Sequence, residues 1–399
     1  MSSVLRVTVL GSTGTVGINT LDVIARHPDR FEVFALSCAR RWQDLLEQCR
    51  ATQPRFAVVL DESAAAQLRQ ALQSEGIGTE VLSGAQGMIE IAQHDECDAV
   101  MAAIVGAAGL EPTMAAAQAG KRVMLANKES LVMAGQFFMD AVRDNGAELL
   151  PIDSEHNAIF QCLPMGYRAG SKPADIRRIL LTASGGPFRH ADPDSLGDVT
   201  PERAIAHPNW SMGPKISVDS ATMMNKGLEL IEASWLFEVP VDKIQIVIHP
   251  QSIIHSMVEY RDGSTLAQMG NPDMRVPISN GLSWPERIES GTDPLDVFSC
   301  AALTFETPDP RRFPCLALAH AAAEAGGSMP IIMNAANEIA VAEFLDRRLG
   351  FTDIAALIDD VMNTMDSIEP DSIEHVKDID AEARRVAATR LTGLYRKEA

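Results

Sequence analysis

The chain has 399 residues, enough for two or three domains, and its 46% hydrophobic and 22% charged residues allow each domain its own apolar core. A formal net charge of -20 argues against nucleic acid and anionic membrane lipid as partners. An anionic small substrate is compatible with this balance only where its site is locally positive. The six cysteines, Cys38, Cys49, Cys97, Cys162, Cys300 and Cys315, form no CxxC pair and read as free thiols of a reducing compartment. Residues 1–6 run into an apolar strand without a targeting segment, and the apolar run at residues 99–110 is too short to span a bilayer. A soluble cytoplasmic protein is expected.

In chain order, residues 6–10 (RVTVL) predict a buried strand, followed by a glycine-rich turn and a helix that ends before Pro28. Further strands are expected at residues 31–37, 56–60, 98–104, 122–126 and 147–152, with helices at 41–50, 62–74 and 130–145. Strands alternating with helices imply parallel βαβ units and a doubly wound, Rossmann-like α/β domain over residues 1–150. Residues 151–284 read as an α+β catalytic domain that binds metal and substrate. Its strand candidates are 178–183, 244–249, 253–260 and 265–269, and Asp262-Gly263 marks an antiparallel hairpin. Residues 184–218, rich in Gly, Pro, Asp and His, are expected to be loop. The proline-rich residues 285–312 read as a connector, and residues 313–399 as a C-terminal helical domain.

The turn GSTGTVG at residues 11–17 joins the first strand to the first helix. Glycines there let the backbone approach a pyrophosphate, which the free N–H groups at the helix start then hold. The second strand is followed by Ala39, Arg40 and Arg41 with no acid beside them, which favours a 2′-phosphate and hence NADP(H). Asp153 and Glu155 follow a strand. As residues i and i+2 of an extended segment they point the same way, and with oxygen ligands only they suit Mg²⁺ or Mn²⁺. Glu229, beside Asn225 and Lys226, is the best third ligand. His156 reads more readily as a helix-start or core residue than as a ligand. Ser184 with two glycines after a strand, and the segment from Ser217 to Lys226, offer hydroxyl, amide and ammonium donors for a phosphate. The loop from His207 to Gly213, with Trp210 and Met212, reads as a lid or as a packing anchor between domains.

Taken together, these segments resemble the 1-deoxy-D-xylulose 5-phosphate reductoisomerase family. The resemblance is carried by GSTGTVG (11–17), AIVGAAGL (103–110), LANKES (125–130), DSEHNAIFQ (153–161), ASGGPF (183–188), HPNWSMG (207–213), ISVDSATMMNKGLE (216–229), HPQSIIHS (249–256) and NAANE (334–338), and it covers nearly the whole chain. It implies an NADPH-dependent rearrangement and reduction of 1-deoxy-D-xylulose 5-phosphate to 2-C-methyl-D-erythritol 4-phosphate in the non-mevalonate isoprenoid pathway. A divalent ion (Mn²⁺, Mg²⁺ or Co²⁺) would chelate the substrate oxygens, and the protein would be a homodimer.

By the same resemblance, Asp153, Glu155 and Glu229 are the metal ligands, and with Lys128 the catalytic set. Lys128 and Ser154 contact substrate oxygens near the metal. Ser184, His207, Ser220, Asn225 and Lys226 hold the phosphate end, and Trp210 and Met212 form the lid. Thr13, Gly14, Thr15, Val16, Ala39, Arg40, Arg41, Asn127, Glu129 and Gly213 contact NADPH. Ala39 stands where many members carry glycine. Pro214 stands where they carry Arg or Lys, which removes a charge and stiffens the end of the lid. On the residues alone two other readings stay open. One is an NADP dehydrogenase of a semialdehyde or polyol, distinguished by metal independence. The other is a non-catalytic NADP-sensing or scaffold protein, distinguished by an assay with substrate.

Overall fold

A computed structural model describes residues 4–210, 212–300 and 302–395. Residues 1–3, Ser211 of the lid motif and Ala301 of the connector lie outside the described residues, as do the last four residues.

The first half of the chain alternates β1 (Leu5–Leu10), α1 (Thr15–Arg26), β2 (Phe31–Cys38), α2 (Trp42–Thr52), β3 (Phe56–Val59), α3 (Glu62–Glu75), β4 (Glu80–Ser83), α4 (Gly84–Gln93), β5 (Ala99–Ala102), α5 (Leu110–Gln118), β6 (Arg122–Leu125), α6 (Glu129–Asp144) and β7 (Glu148–Pro151). The expected strands are present within a few residues of their predicted ends. The sequence reading lacked β4, α4 and α5. All seven strands are parallel, in the order β4-β3-β2-β1-β5-β6-β7. Strands such as FEVFALSC are buried at nearly every position because helices cover both faces of the sheet. One face packs against α1, α2 and α3; the other packs against α4, α5 and α6, and its core continues into the rest of the molecule.

The chain continues through α7 (Ser154–Cys162), β8 (Ile176–Ala183), α8 (Pro201–Ile205), α9 (Pro214–Ala221), α10 (Met224–Leu236), β9 (Ile244–Ile248), β10 (Ile254–Tyr260), β11 (Thr265–Met269) and α11 (Arg275–Ser283). The second sheet runs β11-β10-β8-β9, with β10 antiparallel to both β8 and β11 and β9 parallel to β8. The hairpin expected at Gly263 is present, with Gly263 at φ 89°. Helix α11 packs on α1, placing Ile278 and Leu282 in the core on that face of the first sheet. Among its described residues, the proline-rich stretch after it forms a single isolated bridge, Glu306 with Ile248. Helices α12 (Pro314–Ala325), α13 (Met329–Leu345), α14 (Asp353–Thr364) and α15 (Ile373–Tyr395) follow, and α13 packs against α6 and α9 as well as its own neighbours.

Two local expectations are corrected. Residues 153–155 are not extended: Asp153 is the N-cap of α7 and Glu155 lies in its first turn. Residues 184–218 are not all loop, because α8 and the start of α9 fall within them. Pro214 occupies the first position of α9, where its missing N–H costs nothing and its fixed φ suits the helix.

Candidate active site

The order of the first sheet reverses between β1 and β5, so the carboxyl ends of these strands diverge and leave a crevice. The glycine turn fills it. Gly11 has φ 78°, and a Cβ there would lie 2.7 Å from the Ala103 carbonyl oxygen beyond β5. A Cβ on Gly17 would lie 2.4 Å from the Ser12 Cα, so glycine alone lets α1 sit this close to the turn. Gly14 caps α1 without a side-chain hydrogen bond, which leaves first-turn N–H groups free for an anion. Thr13, Gly14, Thr15 and Val16 line a cavity of about 930 Å³. The geometry fits a dinucleotide phosphate.

The arginines after β2 differ from each other. Arg41 lines the cavity and donates from Nη2 to the Thr13 carbonyl at 2.5 Å. Arg40 does not line the cavity; its side chain is 85% exposed, 3.8 Å from Asp61. Arg41 also lies 3.4 Å from Asp44, three residues on in α2, while the Asp61 beside Arg40 is the N-cap of α3. Ala39 is exposed beside them and lies outside the cavity lining.

At the far end of the cavity three carboxylates and two ammonium groups meet. β6 delivers Lys128 to the start of α6, β7 delivers Asp153 and Glu155 to the start of α7, and α10 presents Asn225, Lys226 and Glu229 on one face. Lys128 Nζ lies 2.5 Å from Asp153 Oδ2 and 3.2 Å from Glu229 Oε1, and donates to Asn225 Oδ1 at 2.9 Å. Lys226 Nζ lies 3.0 Å from Glu155 Oε1 and pairs with Glu229. Burial pushes the Glu155 carboxyl up, but the Lys226 ammonium and the Ser154 hydroxyl hold it down to about 2. Burial raises Asp153 above the usual carboxylate range against the pull of Lys128. Burial disfavours the Lys128 ammonium, yet Asp153 and Glu229 outweigh it and keep the amine charged.

This donor set fits a divalent ion. It offers oxygen only, Lys128 bridges Asp153 to Glu229 and Lys226 bridges Glu155 to Glu229, and Asp153 Oδ2 is buried without a well-directed hydrogen bond. Among the described residues the group whose ligand atoms already lie within 4.8 Å of one another is Asp153, His156 and Glu232, so Glu155 and Glu229 would have to leave their lysines to join an ion at Asp153. His156 lies beneath the cluster and is fully buried; its Nε2 donates to the Glu229 carbonyl, and its Nδ1 lies 2.9 Å from Glu232 Oε2 without a well-directed hydrogen bond. Burial alone would depress it, but Glu232 pushes it up to about 9.

The other wall is built by the end of β8 and the loop before α9. Gly185 and Gly186 both have positive φ, and the Gly186 N–H donates to Ser184 Oγ at 3.1 Å. Ser184 Oγ is 2.8 Å from His207 Nε2. His207 Nδ1 accepts from the backbone of Asn209 and Trp210, which assigns its proton to Nε2 and makes the ring the donor to Ser184. Burial holds His207 below the usual histidine range. Ser220, Asn225, Lys226, Trp210, Met212 and Gly213 complete the lining.

Twelve residues expected at the substrate or metal therefore share this single cavity: Lys128, Asp153, Ser154, Glu155, Ser184, His207, Trp210, Met212, Ser220, Asn225, Lys226 and Glu229. Asn127 and Glu129 do not line it. They are 1% and 4% exposed and bonded to each other behind it. The sequence reading gave no role to Asn209, Lys215, Ser252, His255 or Asp273, which do line the cavity. Asn209 Nδ2 donates to the Pro250 carbonyl and to Ser252 Oγ, and Trp210 lies 6.2 Å from the His255 ring, so the lid segment rests on the β9–β10 loop. Asn209 falls within the HPNWSMG motif and Ser252 and His255 within HPQSIIHS, whereas Lys215 and Asp273 lie in none of the motifs.

Comparison with known proteins agrees with this geometry. Residues 7–135 match the family described as 1-deoxy-D-xylulose 5-phosphate reductoisomerase, residues 149–237 its C-terminal domain, and residues 269–386 the DXP reductoisomerase C-terminal domain. The chain is similar to the 1-deoxy-D-xylulose 5-phosphate reductoisomerases of Stutzerimonas stutzeri (60% identical, covering 97% of this chain and 98% of the relative) and Aromatoleum aromaticum (59%, covering 97% and 96%). Among solved structures it is similar to the Zymomonas mobilis enzyme in complex with NADPH, with 50% identity, TM-score 0.90 and coverage of 98% and 99%. It is also similar to a DOX-P reductoisomerase in complex with NADPH, fosmidomycin and magnesium, with 44% identity, TM-score 0.92 and the same coverage.

Proposed function

The chain belongs to the 1-deoxy-D-xylulose 5-phosphate reductoisomerase family, and from that premise we propose that its cavity carries out the NADPH-dependent conversion of 1-deoxy-D-xylulose 5-phosphate to 2-C-methyl-D-erythritol 4-phosphate. The observation that carries this reading is the sharing of one cavity by the glycine turn before α1 and by the carboxylates Asp153, Glu155 and Glu229. A plain NADP dehydrogenase has no use for the second group.

The residues divide the work by chemistry. Asp153, Glu155 and Glu229 would hold a divalent ion, which supplies charge stabilisation to the substrate's ketone and neighbouring hydroxyl oxygens. Thr13, Gly14, Thr15 and Val16 at the start of α1 would hold the phosphates of NADPH, which would supply the hydride when bound. Lys128 and Ser154 face the reacting oxygens, and the Lys128 ammonium can donate to a developing oxyanion. Ser184, His207, Ser220, Asn225 and Lys226 bind the phosphate, the part of the substrate that does not react. Binding energy from that end can seat Trp210 and Met212 over the substrate and exclude water from the rearranging carbons.

The proposed division is a cofactor domain at residues 1–150, a catalytic domain at 151–284, a connector at 285–312 and a helical domain at 313–399. A homodimer is also proposed. The edge strand β11 is largely exposed, and the connector exposes Phe298 by 97% and Val297 by 59%, as an assembly interface would. No helix among the described residues is long and apolar enough to cross a membrane, in keeping with a proposed cytoplasmic location.

The test is NADPH absorbance in the presence of 1-deoxy-D-xylulose 5-phosphate, with Mn²⁺ and after chelation. Oxidation that requires both substrate and metal is expected. Oxidation that survives chelation would return the site to the simpler dehydrogenase reading.

A further inference from the structure

The loop between β9 and β10 is built as a fixed platform at the cavity wall. His249 is fully buried: its Nδ1 donates to the Thr304 carbonyl at 2.9 Å, its Nε2 accepts from the Ile253 N–H at 3.3 Å, and its ring stacks on Phe305 with centroids 5.0 Å apart. Gln251 Nε2 donates to the Ala302 carbonyl at 3.1 Å and to Thr304 Oγ1 at 2.9 Å, and Ile248 bridges Glu306. The connector thus grips this loop without itself lining the cavity. Ser252, which does line it, stands in the left-handed region at φ 50°, a conformation a serine keeps only where its surroundings hold it.

Asn209 of the lid segment meets this platform. It lines the cavity and is half-buried. Its Nδ2 donates to the Pro250 carbonyl at 2.7 Å and to Ser252 Oγ at 2.9 Å, so both protons of one amide are directed at the loop. Its backbone N–H donates to His207 Nδ1 at 3.2 Å, and His207 Nε2 in turn reaches Ser184. Among the described residues, lid side chains hydrogen-bond to segments outside the lid at two places: His207 on Ser184, and Asn209 on Pro250 and Ser252. Trp210 adds a ring contact with His255 at 6.2 Å and is itself only half-buried, which is not how a core anchor sits. The acceptors are already ordered by the connector, so Asn209 gains two bonds while only the lid has to be fixed.

Building on the functional reading above, we propose that Asn209 is a positioning residue: with Ser252 it latches the lid onto the β9–β10 loop and so sets His207 and Trp210 against the sugar-phosphate end of the cavity before substrate arrives. A substrate that meets a latched lid need not order it. Its apparent affinity rises with the fraction of molecules in which the latch is shut. The connector belongs to the same device, because it fixes the acceptors.

The test combines binding and proteolysis on Asn209→Ala, Ser252→Gly and the pair. Affinity for 1-deoxy-D-xylulose 5-phosphate, measured by calorimetry with Mn²⁺ and without NADPH, falls about tenfold in Asn209→Ala, which loses two hydrogen bonds. It falls about threefold in Ser252→Gly, which keeps the left-handed backbone and loses one acceptor. The pair is weaker than Asn209→Ala by less than about twofold, because Ser252 acts through Asn209. KM for the sugar phosphate rises in step while kcat falls by less than about threefold, and NADPH affinity stays within about twofold. Without ligands, chymotryptic cleavage after Trp210 is about fivefold faster in Asn209→Ala, because the segment opens more often. Wild-type sugar-phosphate affinity or wild-type cleavage in Asn209→Ala, or multiplicative effects in the pair, overturns the latch. So does an equal loss of NADPH affinity, which would make Asn209 a support of the fold. A wild-type protein that binds no sugar phosphate overturns the functional reading instead, and the cleavage rates then decide the latch alone.

Discussion

Glu229→Gln separates the two duties of the carboxylate cluster. Glu229 is 1% exposed, its Oε1 accepts from Lys128 at 3.2 Å and from Asn225, and its Oε2 pairs with Lys226. An amide keeps the volume but cannot accept from both ammonium groups, so two charge-assisted hydrogen bonds worth about 1.5–3 kcal/mol each are at stake. Both lysines keep another carboxylate, Asp153 at 2.5 Å and Glu155 at 3.0 Å, and mutual repulsion among the acids falls. The net loss of folding stability is therefore about 1–2 kcal/mol, well short of the ~3–5 kcal/mol that follows when a buried charge is left alone. Metal affinity responds differently. Losing even an indirect partner of a metal ligand costs ~10–100-fold, so losing a direct ligand costs at least about 100-fold. Calorimetric titration with Mn²⁺ and chemical denaturation read the two effects on one preparation, while NADPH affinity stays within about twofold. A variant that binds Mn²⁺ as wild type does would refute the ligand role. A variant destabilised by more than ~4 kcal/mol would make Glu229 chiefly a structural counter-ion.

Three further outcomes follow from the same geometry. Gly17→Ala places a Cβ 2.4–2.6 Å from Ser12 and Gly11 backbone atoms, so α1 must retreat. A stability loss of ~1–3 kcal/mol with weakened NADPH binding is expected, and an unchanged Kd would show that the helix start does not hold the cofactor. Arg41→Ala raises KM for NADPH, with a much smaller effect on NADH, whereas Arg40→Ala has a smaller effect because its guanidinium faces solvent beside Asp61; equal effects would refute the assignment by exposure. His207 has a folded pKa below its unfolded value of about 6.5, so its stabilisation is complete above that pH and is lost as pH falls through the lowered pKa. Urea midpoints between pH 5 and 7.5 fall less steeply in His207→Gln, and parallel curves would show that His207 is not the group responsible.

The parallel sheet was legible because its strands are buried on both faces and read as unbroken apolar runs between helices. β4 escaped because EVLS is short and only Val81 is fully buried. The nearness of Asp153 and Glu155 was foreseen, but for the wrong local reason: β7 ends at Pro151, and the helix start, not the pleat of a strand, brings the two carboxylates together. The pairing of Arg40 with Asp61 and of Lys215 with Glu129 was out of reach. Lys215 and Asp219 are an i,i+4 pair on α9, but Arg40 with Asp61 and Lys215 with Glu129 join residues that are far apart in the sequence and become neighbours only through the fold.

Charge balance at the cluster leads to one more outcome. Lys128 and Lys226 contribute two positive charges against three negative ones from Asp153, Glu155 and Glu229, one negative charge in excess inside a chain whose net charge is -20. A site with that excess repels the sugar phosphate that the neighbouring Ser184, His207 and Lys226 are arranged to accept. A divalent ion turns it to about +1, so the ion serves substrate binding before it serves any chemical step. At roughly 8 Å and an effective dielectric near 20, one unit charge acting on another is worth ~2 kcal/mol. Affinity for 1-deoxy-D-xylulose 5-phosphate, measured without NADPH so that no turnover occurs, should therefore fall at least about tenfold when Mn²⁺ is removed. The same comparison with Glu229→Gln, which binds Mn²⁺ at least about 100-fold more weakly, should show a smaller metal effect. Equal affinity with and without metal in the wild type would mean that the lysines alone supply the attraction, and that the three carboxylates are compensated elsewhere.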